Sequence, residues 1–333
     1  MKIKLVHKYE EIISVENLLV AWKEFLKDKK NRLDAQKFSL NLIDNILPLN
    51  NELVKGIYKH GGYEAFKVND PKPRDIHKAS VRDRLLHHAI YRILYPFFDR
   101  KFITDSFSCR LEKGTHRAIN RFREFYFKVG KNNTKTCWIL KCDIRKFFAN
   151  IDHKILTEIL KEHIDDDKLL WLLKKIIGSF SSGKTGVGLP LGNLTSQLFV
   201  NIYMDEFDQF VKHKLKARYY IRYCDDFIVL SDNREHLISY ISAIKKFLMD
   251  NLKLELHPDK ISIKTMESGV DFLGWVNFTD HRILRTATKR KMFRNIVKSE
   301  GKTETIQSYL GLISHGNTIK LKQKILDLLY KAI

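Results

Sequence analysis

Cysteine, proline and glycine are all scarce in this sequence of 333 residues. With six prolines and fifteen glycines, the chain shows no flexible Gly/Ser linker, low-complexity tract or internal repeat. No two of the four cysteines have C-x-x-C spacing, and none has a nearby histidine pair to complete a zinc site. We therefore expect reduced thiols in a reducing compartment, the cytoplasm. The cysteines are Cys109, Cys137, Cys142 and Cys224.

Long apolar runs are also missing. No stretch approaches the roughly 18 apolar residues of a membrane span. The N-terminal string MKIKLVHKYEEII lacks the apolar region of a signal peptide. We therefore expect no membrane partner.

Acidic residues are too few to balance the basic ones. Sixty Lys and Arg face thirty-nine Asp and Glu, a formal charge of +21, in a chain that is 44% hydrophobic. A folded protein with such a surplus points to a polyanion, and nucleic acid leads because the membrane features are missing. The alternative, a solvated basic surface with no partner, stays open on charge alone.

Hydrophobic periodicity predicts a mixture of helices and strands without a repeating βαβ rhythm, so the predicted class is α+β. Residues 1–65 are predicted to be helical, with Leu40, Ile43 and Leu47 at helix spacing. The segment 69–76 is predicted to be a loop that enters an extended piece. Further helices are predicted over 81–98 (ending near Pro96), 153–178, 195–213 and 237–251, and in the basic tail from 281. Strands are predicted over 136–144, 219–224, 227–231 and, as two short pieces, 252–265, with a glycine-rich loop over 183–192.

Three carboxylates mark the candidate site. Asp225 and Asp226 lie between the apolar runs YYIRYC and FIVLS, a pattern typical of a tight hairpin. Asp143 follows the apolar strand WILKC. Adjacent carboxylates repel each other and are costly at the ends of buried strands unless a cation accompanies them. Mg²⁺ prefers such oxygen ligands together with phosphates, and two Mg²⁺ ions suit phosphoryl transfer. An ordinary exposed turn is the alternative for an isolated Asp-Asp pair.

Several strings around these aspartates resemble the motifs of reverse transcriptases, in the same order. YCDD (223–226) resembles the Y-x-D-D motif, and CDIRKFFANIDH (142–153) resembles the strand motif that precedes it. The loop-to-helix, downstream palm, fingers and thumb motifs are matched as well, from about residue 71 to the C-terminus. The matching strings are GVGLPLGNLTSQ (186–197), LHPDK (256–260), FLGW (272–275), KPRDIHKASVRDRLLHHAI (72–90), SFSCRLEKGTHRAI (106–119) and SYLGLISHGN (308–317).

The resemblance implies a right-hand polymerase fold with fingers, a palm of antiparallel sheet with helices on one face, and a helical thumb. It implies an N-terminal helical extension over 1–70, fingers over 71–135, a palm over 136–278 with fingers elements interleaved near 154–190, and a basic thumb over 279–333. The implied activity is RNA-directed DNA synthesis that uses two Mg²⁺ ions, for which Mn²⁺ can substitute.

The departures from the family pattern indicate a subtype. LGNLTSQ (191–197) has Leu191 where most relatives have Gln and Gln197 where they have Pro. This resembles reverse transcriptases of diversity-generating retroelements, which copy a template RNA with errors at adenines. Ala149, where many relatives carry Asp, is not expected to bind metal. The chain is expected to lack the extensions of intron enzymes and an RNase H domain. The alternatives are another bacterial reverse transcriptase, of a phage-defence or intron type, and a non-catalytic RNA-binding remnant.

The resemblance also assigns roles. The metal ligands are Asp143, Asp225, the less direct Asp226 and the Ile144 carbonyl, with Lys260 as a general acid for the leaving pyrophosphate. The predicted dNTP contacts are Arg74, the looser candidates Arg84 and Lys78, the steric gate Phe148, and the loop-to-helix residues Leu191, Gly192 and Gln197. For Phe148 core packing is the alternative, and for the lysines and arginines a solvated surface charge.

The expected macromolecular partners are a template RNA, the RNA–DNA hybrid and a small basic accessory protein. The predicted contacts to nucleic acid are Tyr223, Trp275, Arg285, Lys289, Arg290 and Arg294. Stacking on bases is open for Tyr219, Tyr220, Arg218 and Arg222, but these four residues fit hairpin packing better.

Overall fold

The computed structural model describes residues 3–69 and 73–330 of the chain. Residues 70–72, where we placed the boundary between the N-terminal extension and the fingers, lie outside the described part, as do residues 331–333. The described residues form two large apolar cores, one on each side of a central sheet. The α+β class predicted from the sequence is confirmed.

The N-terminal segment is helical, as predicted, and forms four short helices. The side chain of Ser14 accepts a hydrogen bond from the Asn17 amide and so marks the start of the second helix. The helices are α1 (Tyr9–Ile13), α2 (Val15–Phe25), α3 (Leu33–Leu40) and α4 (Leu42–Val54).

The spacing of Leu40, Ile43 and Leu47 does not mark a buried helix face: Leu40 ends α3, and Ile43 and Leu47 lie on α4. These three side chains lie on the surface, Leu40 with 83% of its area exposed. The face formed by Ile46, Leu49 and Leu53 is buried instead. Helix α4 has two apolar faces, and hydrophobic periodicity alone does not show which of them packs into the core.

A two-stranded antiparallel hairpin follows, formed by β1 (Tyr63–Asn69) and β2 (Pro73–Ala79). The predicted extended piece is therefore confirmed, with a partner strand before it. Ser80 then caps α5 (Val81–Asp99), because its hydroxyl accepts from the Asp83 amide. The prediction that this helix ends near Pro96 is wrong, since the buried Phe98 holds a further turn beyond it. Helix α6 (Thr115–Val129) comes next.

The central sheet has four antiparallel strands in the order β4–β5–β3–β6. Its strands are β3 (Trp138–Asp143), β4 (Tyr219–Tyr223), β5 (Asp226–Ser231) and β6 (Ser262–Thr265). Of the two short strands predicted over 252–265, the first is absent: Leu256 forms an isolated bridge with Ile144. The segment around Leu256 follows the end of a helix and pairs through this single bridge, not through the repeated hydrogen bonds of a strand pair.

Both faces of this sheet are covered, so the expectation of helices on one face is incomplete. Leu140 and Phe227 belong to the core shared with the helices Leu194–Gln209 and Arg234–Leu252, whereas Ile139 and Ile228 belong to the core shared with α6. Alternate residues of a strand point to opposite faces, and here both sets are apolar.

The helices that follow β3 and β4–β5 match the predicted segments. The predicted helix over 153–178 is divided at residues 162–166, and the glycine-rich loop precedes α9 as expected. The last turn of α9 passes into a π-helical segment at Phe210–Lys214. The helices are α7 (His153–Lys161), α8 (Asp167–Ile177), α9 (Leu194–Gln209) and α10 (Arg234–Leu252).

A small three-stranded antiparallel sheet introduces the C-terminal helices. The basic tail, predicted to be helical from residue 281, therefore begins as a strand. The strands are β7 (Val270–Phe272), β8 (Trp275–Asn277) and β9 (Arg282–Leu284), and the helices are α11 (Thr286–Lys298), α12 (Thr303–Ile313) and α13 (Ile319–Tyr330). Across the described ranges, none of the helices combines the length and the apolar character that a bilayer crossing requires.

Packing of the C-terminal helices on this small sheet generates a testable prediction. A Cβ atom on Gly316 would overlap the ring of Trp275 and come within 2.9 Å of the Arg282 carbonyl oxygen. We expect Gly316→Ala to lower the free energy of unfolding by about 1–3 kcal/mol, the usual cost of overpacking. Gly311→Ala is the matched control, because nothing lies within 4 Å of its Cβ position in α12. Denaturant unfolding should show the control stabilised by about 1 kcal/mol; equal effects of the two substitutions would contradict this packing.

Candidate active site

Three carboxylates meet at one end of the central sheet. Asp143 is the last residue of β3 and lies directly opposite Asp226, the first residue of β5. Asp225 precedes it in the turn between β4 and β5. Antiparallel pairing of β3 and β5 therefore brings together acidic residues that are more than 80 positions apart in the sequence.

The turn that carries Asp225 is tight. Tyr223 pairs with Asp226, which leaves Cys224 and Asp225 as a two-residue connection. Cys224 has a φ of 59°, in the left-handed region that Gly or Asn usually occupies in such turns. The Ile144 amide donates to the Asp225 carbonyl oxygen at 3.1 Å. The backbone after β3 thus holds the turn in place.

Burial and mutual repulsion raise the pKa values of two of these carboxyl groups. Burial is the largest cause for Asp225, and the neighbouring charge of Asp143 is the next. Burial raises the pKa of Asp226 to about 7, although Lys141 opposes the rise. One oxygen of Asp226, Oδ1, is buried without a hydrogen-bond partner. The site concentrates negative charge that its own residues do not fully compensate.

Two lysines supply part of the missing positive charge. Lys260 Nζ lies 2.6 Å from Asp143 Oδ1, so the predicted general acid is at the site. Lys141 Nζ lies 3.6 Å from Asp226 Oδ2 and donates to the Asp271 carbonyl oxygen at 2.7 Å. The position of Lys141 at the site was not predicted from the sequence. Its position two residues before Asp143 on the same strand face was the signal that pointed to it.

The donor set fits a divalent cation. Within residues 3–69 and 73–330, no three His, Cys, Asp or Glu side chains already converge as a metal site. Mg²⁺, however, is commonly held by one or two protein carboxylates, with substrate phosphates and water as the remaining ligands. One Asp226 oxygen has no hydrogen-bond partner, and lysines lie beside Asp143 and Asp226. This end of the sheet therefore accommodates positive charge.

The basic residues predicted to bind the triphosphate lie in two different environments. Arg74, on β2, is near enough to Asp225 for its charge to lower the pKa of that carboxyl group. Arg84 instead forms an ion pair with Asp34 at 2.6 Å and lies over the ring of Phe25. Lys78 also pairs with Asp34, at 2.9 Å. Arg74 is therefore the one of these three that the structure connects electrostatically with the carboxylates.

The predicted nucleotide pocket residues share a set of backbone hydrogen bonds. The Leu189 amide donates to the Phe148 carbonyl oxygen at 2.8 Å, and the His77 amide on β2 donates to the Leu191 carbonyl oxygen at 2.9 Å. The loop before α9 thus bridges Phe148 and the β1–β2 hairpin. The Phe148 ring is half-buried against the core, so both its packing and its gate interpretation remain compatible with its position.

Gly192 is required by the hairpin. It has a φ of 119°, and an added Cβ would lie 3.2 Å from Ile76 Cγ2 and 3.4 Å from the His77 carbonyl oxygen. The absence of a side chain here lets the loop approach β2 closely, and the predicted contact of Gly192 with the dNTP stays a prediction. Gln197 is half-buried in the first turn of α9.

The residues predicted to contact nucleic acid lie in different environments. The prediction for Trp275 is wrong: its side chain is 1% exposed, because the chain at Gly316 packs directly on its ring. Tyr223 is half-buried, and its hydroxyl accepts a hydrogen bond from Thr115. Arg285 forms an ion pair with Asp271 at the start of α11.

On α11, Arg290 and Arg294 are exposed and Lys289 is half-buried. These three remain available for phosphate contacts. The predicted packing role is confirmed for Tyr220 and Arg222, whose side chains are fully buried, and Tyr219 packs half-buried on the same sheet. It is wrong for Arg218, whose side chain is exposed. The partner that makes this possible, Asp208 on α9, was not identified from the sequence.

Comparisons with known proteins agree with this architecture. Residues 57–276 match the family described as reverse transcriptase (RNA-dependent DNA polymerase). Protein YkfC of Escherichia coli is 26% identical over 284 residues, which cover 72% of this chain and 71% of that protein. The group II intron-encoded protein LtrA of Lactococcus lactis is 24% identical, covering 68% of this chain and 47% of LtrA.

A putative COX1/OXI3 intron 2 protein of Saccharomyces cerevisiae is 22% identical, covering 65% of this chain and 30% of that protein. This chain therefore spans less than half of the two intron-encoded relatives. Among solved structures, telomerase from Candida albicans, in complex with a fragment of telomeric RNA, superposes with a TM-score of 0.51 at 13% identity. That match covers 69% of this chain and 46% of the telomerase chain, and it shows that the two share the right-hand fold.

The family match spans the β1–β2 hairpin, the paired strands with their three aspartates and, of the small sheet, strand β7. On sequence and fold together, the chain belongs to the reverse transcriptase family, the RNA-dependent DNA polymerases.

Proposed function

We propose that this chain synthesises cDNA on an RNA template by nucleotidyl transfer at Asp143, Asp225 and Asp226. The observation that carries the proposal is the placement of these carboxylates on paired strands, with burial and repulsion raising the pKa values of Asp225 and Asp226. A structural cluster of this kind would be costly without a cation. Intact carboxylates also argue against a non-catalytic RNA-binding remnant.

Mg²⁺, or Mn²⁺ in its place, would be held by Asp143, Asp225, Asp226 and the Ile144 carbonyl oxygen. When bound, the metal lowers the pKa of the primer 3′-hydroxyl and stabilises charge on the phosphates. Asp143, at the end of β3, and Asp225, in the turn before β5, orient the reacting groups. Half-buried surroundings strengthen these electrostatic interactions by excluding water.

Two basic residues complete the proposed chemistry. Arg74, carried by the fingers hairpin, binds the triphosphate, for which a guanidinium fork is suited. Lys260 holds a proton on Nζ beside Asp143 and donates it to the departing pyrophosphate. The bond formed joins the 3′-oxygen to the α-phosphorus, and the bond broken joins the α-phosphorus to the oxygen that leaves with the pyrophosphate. The proton of the 3′-hydroxyl passes to water.

Primer extension tests the activity directly. The purified protein, an RNA template with an annealed primer, dNTPs and Mg²⁺ should yield DNA, and Asp225→Asn should reduce the rate by at least about a thousandfold through lost electrostatic stabilisation. Asp232→Asn, at an exposed position just after β5, is the matched control and should retain full activity. A wild-type protein that makes no DNA with its cognate RNA and accessory protein supplied would overturn the proposal.

Thermal unfolding tests the metal site without an activity measurement. Mg²⁺ at about one hundred times its Kd should stabilise the wild type by about 2.7 kcal/mol, and Asp226→Asn by less. In the cation-free protein, the pKa of Asp226 stands at about 7, above its ordinary value of 3.8. Ionised Asp226 therefore destabilises the fold, fully above pH 7 and progressively less as the pH falls toward 4.

Without Mg²⁺, Asp226→Asn should accordingly melt higher than the wild type at pH 8, and the two should converge near pH 4. With Mg²⁺, the stabilisation of the wild type should be larger at pH 8 than at pH 6, because protons compete with the cation. Stabilisation that is independent of pH and unchanged in Asp226→Asn would place the cation elsewhere.

We further propose that the enzyme is error-prone at template adenines and serves a diversity-generating retroelement. The support is the string LGNLTSQ (191–197), with Leu191 in place of the usual Gln. The Leu191 backbone is tied to β2, the strand that carries Arg74. An aliphatic side chain beside the incoming nucleotide cannot contribute hydrogen bonds that select the correct pair. In that setting the partners are a template RNA and a small basic accessory protein.

Leu191→Gln tests the source of the errors. A restored hydrogen bond is worth about 1 kcal/mol, so misincorporation opposite adenine should fall several-fold in sequenced cDNA. Val187→Gln, half-buried in the same loop, controls for a general effect of glutamine there. Adenine errors that persist at the wild-type frequency in Leu191→Gln would refute the assignment.

A second candidate is an enzyme related to group II introns. It is favoured by the relatives, since LtrA is described as a group II intron-encoded protein. The cDNA sequences separate the two candidates: errors concentrated opposite adenines support the retroelement, and faithful copying supports the intron-like enzyme.

A further inference from the structure

A fully buried ion pair lies beneath the catalytic turn. The side chains of Arg222 on β4 and Asp208 on α9 are both 0% exposed. The guanidinium makes a two-pronged contact, with Nε donating to Asp208 Oδ1 at 2.8 Å and Nη2 to Oδ2 at 2.7 Å. The Tyr220 hydroxyl donates to the same Oδ1 at 2.7 Å. Every oxygen of the carboxylate is therefore satisfied inside the core.

The remaining donors of Arg222 reach three other parts of the chain. Nη2 donates to Ser106 Oγ at 3.1 Å, and Nη1 donates to Asn201 Oδ1 at 3.3 Å. Nη1 also donates to the Cys224 carbonyl oxygen at 3.1 Å. One side chain thus joins the loop before α6, helix α9 and the turn that carries Asp225.

The contact with Cys224 is the one with a consequence for catalysis. Its carbonyl oxygen and the Asp225 amide belong to one peptide plane, so the hydrogen bond from Arg222 fixes the direction in which the chain enters Asp225. On the other side of Asp225, its own carbonyl accepts from the Ile144 amide. Asp225 is therefore held at both of its flanking peptide groups.

Stability alone does not account for this arrangement. Taking two charges fully out of water is costly, and apolar side chains of similar volume often give equal or greater stability. The turn itself is unfavourable, because Cys224 occupies the left-handed region at a φ of 59°. A buried guanidinium anchored by Asp208 counters the tendency of that peptide to rotate.

We propose that Arg222 is a positioning residue for nucleotidyl transfer, which it supports by fixing the Cys224–Asp225 peptide plane and so the Asp225 carboxylate. This inference rests on the proposed polymerase function. Asp208 is the anchor that orients the guanidinium, and Arg222 does not touch substrate itself. The expected effect is on kcat and on Mg²⁺ affinity, with little effect on the KM for dNTPs.

The first test removes both charges together. Arg222→Met combined with Asp208→Leu leaves no unpaired buried charge, so the melting temperature should stay within a few degrees of the wild type. We expect kcat in primer extension to fall at least about tenfold, a barrier change of about 1.4 kcal/mol. Tyr220→Phe, which loses one hydrogen bond to Asp208 but keeps the contact with Cys224, should stay within about twofold. A stable double variant with the wild-type kcat would overturn the proposal.

A second test applies where the double variant does not fold. Arg222→Lys retains the charge opposite Asp208 but lacks the planar fork, and should lower kcat. Adding Cys224→Gly relieves the left-handed backbone and should restore part of the lost rate. Full activity of Arg222→Lys, or no recovery on adding glycine, would count against a positioning role.

Mg²⁺ titration of the same proteins, read by thermal stability, separates this inference from the polymerase proposal. If the wild type binds Mg²⁺ but makes no DNA, the proposed function fails. In that case at least about tenfold weaker Mg²⁺ binding by Arg222→Lys than by Tyr220→Phe would still support the positioning of Asp225. Equal affinities would refute it.

Discussion

Antiparallel pairing of β3 with β5 is the constraint on which the functional part of the molecule depends. It sets Asp143 opposite Asp226 and leaves Asp225 in the turn beside them. The sheet can hold this pairing because its central strands are apolar on both faces. Burial of the strands in turn prevents water from screening the carboxylates. The same packing that stabilises the sheet therefore creates the demand for positive charge at its end.

Three basic residues on different elements supply positive charge near the carboxylates. Lys260 approaches from the segment after α10, Lys141 from β3 itself, and Arg74 from the fingers hairpin. A divalent cation and a triphosphate would complete the balance. The distribution matters because each basic residue is carried by a different element, so charge compensation depends on the packing of the β1–β2 hairpin against the central sheet.

Much of the fold and the convergence of the three carboxylates could be predicted from the sequence. The strands flanking Asp225 and Asp226 are strongly apolar, and a hairpin leaves few choices of register. The predictions that failed concern residues whose surroundings are set by contacts distant in sequence. Trp275 was predicted to contact nucleic acid, but the chain at Gly316 covers its ring. Arg84 carries the same charge as Arg74, yet Asp34 on a distant helix engages it.

The buried network around Arg222 shows the same limit. Nothing in the string YYIRYC distinguishes an arginine that meets solvent from one that meets Asp208, because the acidic partner lies fourteen residues earlier on another element. Lys141 was overlooked for a related reason. A single lysine in an apolar strand gives no sign of which carboxylate faces it. The alternation of side chains along β3 shows which face of the sheet Lys141 lies on. It does not show which residue of the neighbouring strand lies beside it.

The exposed aliphatic face of the N-terminal helices affects how the protein behaves in solution. Leu33, Leu40, Ile43, Leu47 and Val54 each expose half or more of their area there. Salt weakens the contacts between basic side chains and phosphates. Excluded salts such as sulfate have the opposite effect on apolar surfaces and favour their burial. High concentrations of such salts will therefore promote contact between the exposed aliphatic side chains of neighbouring molecules while they weaken any contact of the basic C-terminal helices with phosphates.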